Sequence, residues 1–325
     1  MRPPQAIASR VSERQSLPLA SRRTGSAGPS GTTQLSGLLA RCDFPAAGTD
    51  VTCAVSGGAD SLALLVLATH AGCRVTAVHV DHGIRPGSAG EAEVVRAAAE
   101  RFGADFRAEA VAVVPGPNLE ARARAARYGV LPPDVLTGHT ADDQAETVLL
   151  NLARGAGLDG LAGMAPARRP LRRLRRRETV ALCADLGLRP VADPSNDDPA
   201  FRRNRVRHEL IPLLDEISAR EVVPVLARQA DLLRDDAALL DDLAAALDPA
   251  DASALAAAPE PLARRAVRRW LRGGGPGGPE RYAPDAAATE RVLAVARGEA
   301  VACELAGGWR VARRGGRLRL EPPDQ

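Results

Sequence analysis

Residues 54–65 read AVSGGADSLALL: a small apolar run, two glycines, then an aspartate and a serine that open a helix-like run. Two glycines at such a junction strip the turn of side chains and let a ligand approach the backbone. Free N–H groups at a helix start favour an anion, most often a phosphate. A bare Gly-Gly turn serves equally as a tight connection capped by Ser56 or Asp60. The loop alone leaves both readings open. A Walker-type loop is excluded, because it needs a lysine and all 43 basic residues are arginine.

Outward from this loop, strand-like and helix-like segments alternate. DVTCAV (50–55), RVTAVHV (74–80), ADFRAEAVAV (104–113) and DVLTGH (134–139) read as strands. Between and after them, Ser61–His70, 91–103, 118–131 and 141–155 read as helices. The alternation predicts an α/β fold: a parallel sheet covered on both faces, with ligands beyond the carboxyl ends of the strands. Ser56 to Ser61, His79 to Arg85 and His139 to Asp143 all fall at such ends.

A chain of 325 residues, 45% of them apolar, can bury a substantial core and is expected to form two domains. Aromatic residues are only 2%, so Ala, Leu and Val must fill that core. Five scattered cysteines with no C-x-x-C pair argue against a disulfide framework and a zinc or iron–sulfur site. No apolar run is long enough to span a membrane and no signal-peptide core is seen, so the cytoplasm is the default. Residues 1–34, rich in Ser, Gly, Pro and Arg, predict a disordered tail, with an Arg/Ser-rich targeting peptide as the alternative. Beyond Arg168 come RRPLRRLRRRET (168–179), a helical stretch from about Glu216 to Leu247 and a basic amphipathic helix (260–273). A Gly/Pro-rich linker, a helix over 286–297 and a meander of hairpins (301–322) follow.

Three constellations carry candidate chemistry. Asp60 at the mouth of the glycine loop is a hard ligand suited to magnesium on phosphate oxygens, or a helix cap. In HTADDQAET, His139, Asp143 and Glu146 are spaced by four and three, on one face of a helix start. The plainer account makes Thr140 to Asp143 a capping box and Glu146 a solvated residue. In RRNRVRH, Arg202, Arg203, Arg205 and Arg207 surround Asn204. With the Arg168–Arg177 run they suggest a salt-sensitive phosphate-binding surface, and the lack of aromatics points to recognition by arginine and shape.

The string SGGADS after a strand resembles the pyrophosphate loop of the N-type ATP pyrophosphatases. VHVDHGIRPGS (78–88), NLEARARAARY (118–128), TGHTADDQAETVLLNLARGAGLDGLAGM (137–164) and PVADPSNDDPAFRRNRVRHELIPLL (190–214) are similar, in order, to the motifs of the tRNA(Ile)-lysidine synthetases. The resemblance implies a tail (1–34), a PP-loop ATP pyrophosphatase domain of Rossmann-like fold (35–215) and a helical substrate domain ending in hairpins (216–325). It implies that ATP adenylates C2 of the wobble cytidine in a CAU-anticodon tRNA(Ile), and that the ε-amine of free L-lysine then displaces AMP. Catalysis would fall to Asp60, Asp143, His139 and Glu146. ATP would lie on Ser56, Gly57, Gly58, Ala59, Asp60, Ser61, His79 and Arg124, with Mg2+ held by Asp60 through the phosphates. The tRNA would meet Arg202, Arg203, Asn204, Arg205 and Arg207; a homodimer is compatible with the sequence.

Two segments depart from the family pattern. Residues 129–133 reach the fourth strand quickly, and residues 165–171 lack apolar strand residues, so a stunted helix and a missing fifth strand are expected. A 2-thiocytidine-type thiolase would want cysteine pairs, and an NAD-synthetase-like amidotransferase would leave the basic region without use. The intact SGGADS and DDQAET argue against a tRNA-binding protein with a decayed site.

Overall fold

The computed structural model describes residues 35–81, 88–111, 122, 126, 129–193, 195, 197–274 and 284–323. The elements begin β1 (Asp50–Ala54), α1 (Ala59–His70), β2 (Arg74–Asp81), α2 (Ser88–Phe102), β3 (Asp105–Ala110) and β4 (Leu136–Thr137). Next come α3 (Ala141–Ala153), α4 (Leu158–Leu161), α5 (Arg176–Asp185), α6 (Arg202–Arg205), α7 (Ile211–Ser218) and α8 (Val222–Ala245). The chain closes with α9 (Ala252–Ala257), α10 (Glu260–Gly274), α11 (Ala286–Arg297), β5 (Ala302–Glu304), β6 (Arg310–Arg314) and β7 (Arg317–Glu321). The tail and most of the helix expected at 118–131 lie outside the described residues. No described helix is long and apolar enough to cross a membrane.

Contacts divide the chain into two units: residues up to Gly138 with Arg177–Ala192, and His139–Arg176 with Asp193 onward. The first holds a parallel sheet of order β3-β2-β1-β4. Its strands carry apolar residues on both faces, as a doubly covered parallel sheet requires: Cys53, Val75, Ala77 and Val78 are all buried. Helix α1 is apolar all round, with Leu62 to Ala68 fully buried, and packs as a central helix. The order reverses direction between β1 and β4, which makes that crevice the switch point where ligands bind such sheets. Strand β4 is only two residues long, short of the 134–139 run expected, because the N–H of Val135 is spent on a turn to Pro132 O at 3.1 Å. Among the described residues no fifth strand joins the sheet, and Pro166–Arg168 form a short 3-10 turn instead.

The second unit is mainly helical. Ala141, Ala145 and Leu149 of α3 pack with Val206, Ile211 and Val223 in one core. A second core joins α9, α10 and α11 to the antiparallel sheet β5-β6-β7. The single helical stretch expected from Glu216 breaks at Ala219, whose φ of 51° is left-handed and ends α7. Asp215 Oδ1 then accepts the N–H of Val222 at 2.7 Å and starts α8. The expected helix over 286–297 and the terminal meander are present as read.

Candidate active site

In the first unit the glycine loop leaves β1 and enters α1. Gly57 has φ +88°, a conformation that favours glycine, and its carbonyl accepts from Val191 N at 3.0 Å. A Cβ on Gly57 would lie 3.0 Å from Val191 Cγ2. Ser61 folds back on the loop: its Oγ donates to Gly58 O at 2.9 Å and accepts from Ser56 N at 3.2 Å. Helix α1 starts at Gly58 without a side-chain cap. Neither Ser56 nor Asp60 therefore caps it, and the positive end of the helix dipole lies at the loop. Such a start, on a loop free of Cβ atoms at its two glycines, fits a phosphate chain.

Asp60 is held from the side. Thr179 on α5 donates its hydroxyl to Asp60 Oδ1, while Cys183 lies 3.5 Å from Ala59 O. Burial, with the Asp60 charge adding to it, pushes the Cys183 thiol up to about 11, so it stays protonated and unreactive. Gly138, just past β4, abuts the same helix start: a Cβ there would fall 2.5 Å from Asp60 O. His79 on β2 is 2% exposed, and its Nδ1 lies 3.0 Å from Val55 O, directly before the loop. A carbonyl can only accept, so Nδ1 carries the proton and Nε2 presents a lone pair. Nε2 has no partner among the described residues. A buried nitrogen without a protein partner beside the glycine loop is a candidate ligand contact. Arg124 lies outside the described residues, as do His82, Arg85 and Arg127.

In the second unit the acidic helix start is built more elaborately than expected. Thr140 and Asp143 form the capping box: Asp143 Oδ2 accepts Thr140 N at 2.8 Å and Thr140 Oγ1 at 2.9 Å. Its other oxygen accepts from Arg176 at 2.8 Å and Arg203 at 3.0 Å. Burial pushes this carboxyl up, but Arg176, Arg203 and His139 together outweigh it and hold the pKa down at about 2. Asp143 is therefore a fixed anion at neutral pH and no general acid. Glu146, a catalytic candidate that the plainer account makes a solvated residue, is fully buried. It meets Arg203 at 2.5 Å, Arg207 at 2.7 Å and Arg176 at 3.3 Å. Helix geometry explains the correction, since residue 146 lies next to the buried Ala145 and Leu149 stripe, and three guanidinium groups make its burial tolerable.

The arginines read as a phosphate-binding surface are thus drawn inward. Arg203 and Arg207 serve Glu146, Arg205 pairs with Glu209 at 2.8 Å, and Arg202 stays exposed. The Asn204 amide is buried and donates to the carbonyls of Ser195 at 2.8 Å and Asp198 at 2.9 Å.

Sequence reading missed Arg176, Thr179 and Gln144. Gln144, 5% exposed, clamps a turn: its Nε2 donates to Ala162 O at 3.1 Å and its Oε1 accepts Met164 N at 2.9 Å. Arg234 of α8 holds the same turn from Met164 O at 3.0 Å and from Ala162 O. A signal for Arg176 existed: three carboxylates within five residues, beside an apolar helix face, require cations from elsewhere in the chain.

Comparisons with known proteins match two family models along the chain. Residues 32–214 match the PP-loop domain family and residues 251–319 the TilS substrate binding domain. A tRNA(Ile)-lysidine synthase of Nocardia farcinica is 47% identical over 70% of this chain and 77% of its own length. One from Rhodococcus erythropolis is 45% identical over 69% and 74%. Among solved structures, the U34-tRNA thiolase NcsA from Methanococcus maripaludis aligns at TM-score 0.49 and 19% identity, over 63% of this chain and 79% of that one.

Proposed function

The chain belongs to the tRNA(Ile)-lysidine synthase family of carbon–nitrogen ligases, which use ATP through a PP-loop domain, and we propose that it carries out that reaction on a CAU-anticodon tRNA(Ile). In the first step the C2 carbonyl oxygen of the wobble cytidine attacks the α-phosphorus of ATP and pyrophosphate leaves. In the second, the ε-amine of free L-lysine attacks C2, AMP departs, and the amine loses its surplus protons to solvent. The observation that carries this reading is the uncapped start of α1 on the Gly57-Gly58 loop, with Asp60 beside it. Residues 35–215 form the ATP domain and 216–325 the substrate domain.

The ATP domain carries the residues of the chemistry. Ser56 to Ser61 hold the phosphates through backbone N–H groups, and His79 Nε2 accepts a hydrogen bond from the nucleotide. Arg124 adds a cation to the ATP. Asp60 is the residue that would hold Mg2+, which when bound neutralises phosphate oxygens. Asp143, ionised by its arginine neighbours, attracts the lysine ammonium. Arg203 and Arg176 suit the lysine carboxylate, with Glu146 fixing their geometry. His139, near enough to act on the Asp143 charge, takes a proton from the attacking amine and passes it to solvent. Arg202 and Arg205, exposed on α6, offer charge to the tRNA. Reaction in the cytoplasm follows from the substrate. Assembly as a homodimer is supported by Leu232, Leu239 and Leu243, exposed at spacings of seven and four on α8.

The test is release of AMP and pyrophosphate from ATP. Release that requires both the CAU-anticodon tRNA and lysine supports the proposal. Release indifferent to the anticodon, or none at all, overturns it.

A further inference from the structure

The arginine runs that stand out in the sequence are largely neutralised by the fold. Arg172 pairs with Asp231 at 2.7 Å, Arg175 with Glu221 at 2.5 Å, and Arg176 with Asp143. On the basic helix α10, Arg264 meets Glu290 and Arg265 meets Asp241, each at 2.5 Å. With Arg203 and Arg207 also taken, further exposed positive charge must be sought elsewhere.

It lies at the tip of the β6–β7 hairpin. The register pairs Arg314 with Arg317 and Ala312 with Arg319, so the three arginines share one face. Val311 and Leu318 occupy the opposite face and are buried. Arg314 is 67% exposed and Arg317 54%, and like charges directly opposite one another destabilise an antiparallel pair. Nearby carboxylates do not balance them. Asp248 holds Arg317 at 2.7 Å, while Glu321 lies 3.8 Å from both Arg314 and Arg310 and cannot neutralise both. Glu304, opposite Arg310, is at the far end of the sheet.

The tip is also pre-shaped. Gly315 and Gly316 have φ of +57° and +77°, as a two-residue hairpin turn needs, and a Cβ on either would meet nothing within 4 Å. Gly316 O accepts from Ala252 N at 3.0 Å, and Leu318 N donates to Ala250 O at 2.7 Å, which ties the hairpin to the start of α9. A rigid, protruding ribbon with crowded guanidinium groups and no apolar side chain at its turn suits a phosphodiester backbone. A lipid surface would want an apolar residue to insert.

Resting on the substrate proposed above, we infer that Arg314, Arg317 and Arg319 grip the phosphate backbone of the tRNA. Guanidinium groups do so bidentately, and the mutual repulsion of Arg314 and Arg317 is relieved when phosphate enters.

The test uses the full chain with Arg314→Gln and Arg319→Gln together, leaving Arg317 on Asp248. Affinity for the tRNA is measured at several salt concentrations. Two lost contacts should flatten the log–log slope by about 1.4 to 1.8. The tRNA KM should rise several-fold while kcat and the lysine KM stay put, and Arg→Lys at both positions should restore the slope. An unchanged slope and tRNA KM in a variant with wild-type melting temperature overturns the inference. So does a loss confined to phosphatidylserine vesicles or to an acidic polypeptide. If the wild type forms no lysidine yet the slope still falls, the function proposed above fails while the RNA contact stands.

Discussion

At the scale of single residues, two carboxylates do different work because their surroundings differ. Asp60, beside the glycine loop, accepts the hydroxyl of Thr179. Asn at this position can still accept from Thr179, so Asp60→Asn should fold with an unchanged melting temperature. AMP formation should nevertheless fall by roughly 10²-fold or more, the scale of losing one electrostatic contact to a transition state. Wild-type AMP release from that variant would reduce Asp60 to a structural residue. Asp143 shows its surroundings through pH. Its folded pKa, about 2, lies below the unfolded value near ~3.9, so its stabilisation is complete above about pH 4 and fades as pH falls towards 2. The amount at stake is about 2–3 kcal/mol. Denaturant unfolding at pH 5 and pH 3 should show wild type losing more stability than Asp143→Asn. Equal losses would mean that Arg176 and Arg203 do not hold this carboxylate.

At the scale of elements, α3 is positioned by a turn it grips. Gln144 binds residues 162–164 with both ends of its amide, and Gly163 sits under that amide with φ +66°. A Cβ at Gly163 would fall 2.5 Å from Gln144 Nε2. Gly163→Ala therefore adds left-handed strain to the loss of two buried hydrogen bonds, and should cost about 2–4 kcal/mol. Gly155→Ala is the control: φ is +75°, but a Cβ there meets nothing within 4 Å, so strain alone should cost about 1 kcal/mol. Equal melting temperatures for the two variants would contradict the clamp. Elements were legible wherever local chemistry decided them. Gly57-Gly58 between apolar runs marked β1, the loop and α1, and Gly315-Gly316 between alternating residues marked the hairpin. The break at Ala219 was not legible, because alanine ordinarily continues a helix and only the tertiary setting forces its φ positive.

At the scale of the whole molecule, charge partners across long sequence separations decide what the arginines do, and a linear reading cannot supply them. Arg203 and Arg207 look like a nucleic-acid run until Glu146, 57 and 61 positions away, claims them. Asp143 and Glu146 were legible as candidates from their spacing, but the burial of Glu146 depends on Arg176, which belongs to a different run. The less conspicuous Arg314, Arg317 and Arg319 are dispersed by strand alternation and gather only through the register. One unit carries the glycine loop, and the other a fixed anion with its arginines. The most direct measurement is mass spectrometry of nucleosides from CAU-anticodon tRNA(Ile) after incubation with the chain, ATP, Mg2+ and lysine. The wobble cytidine should gain the mass of one lysine less one water, and only when lysine and ATP are both present. A cytidine left unmodified, or one carrying sulfur in place of oxygen, would contradict the account.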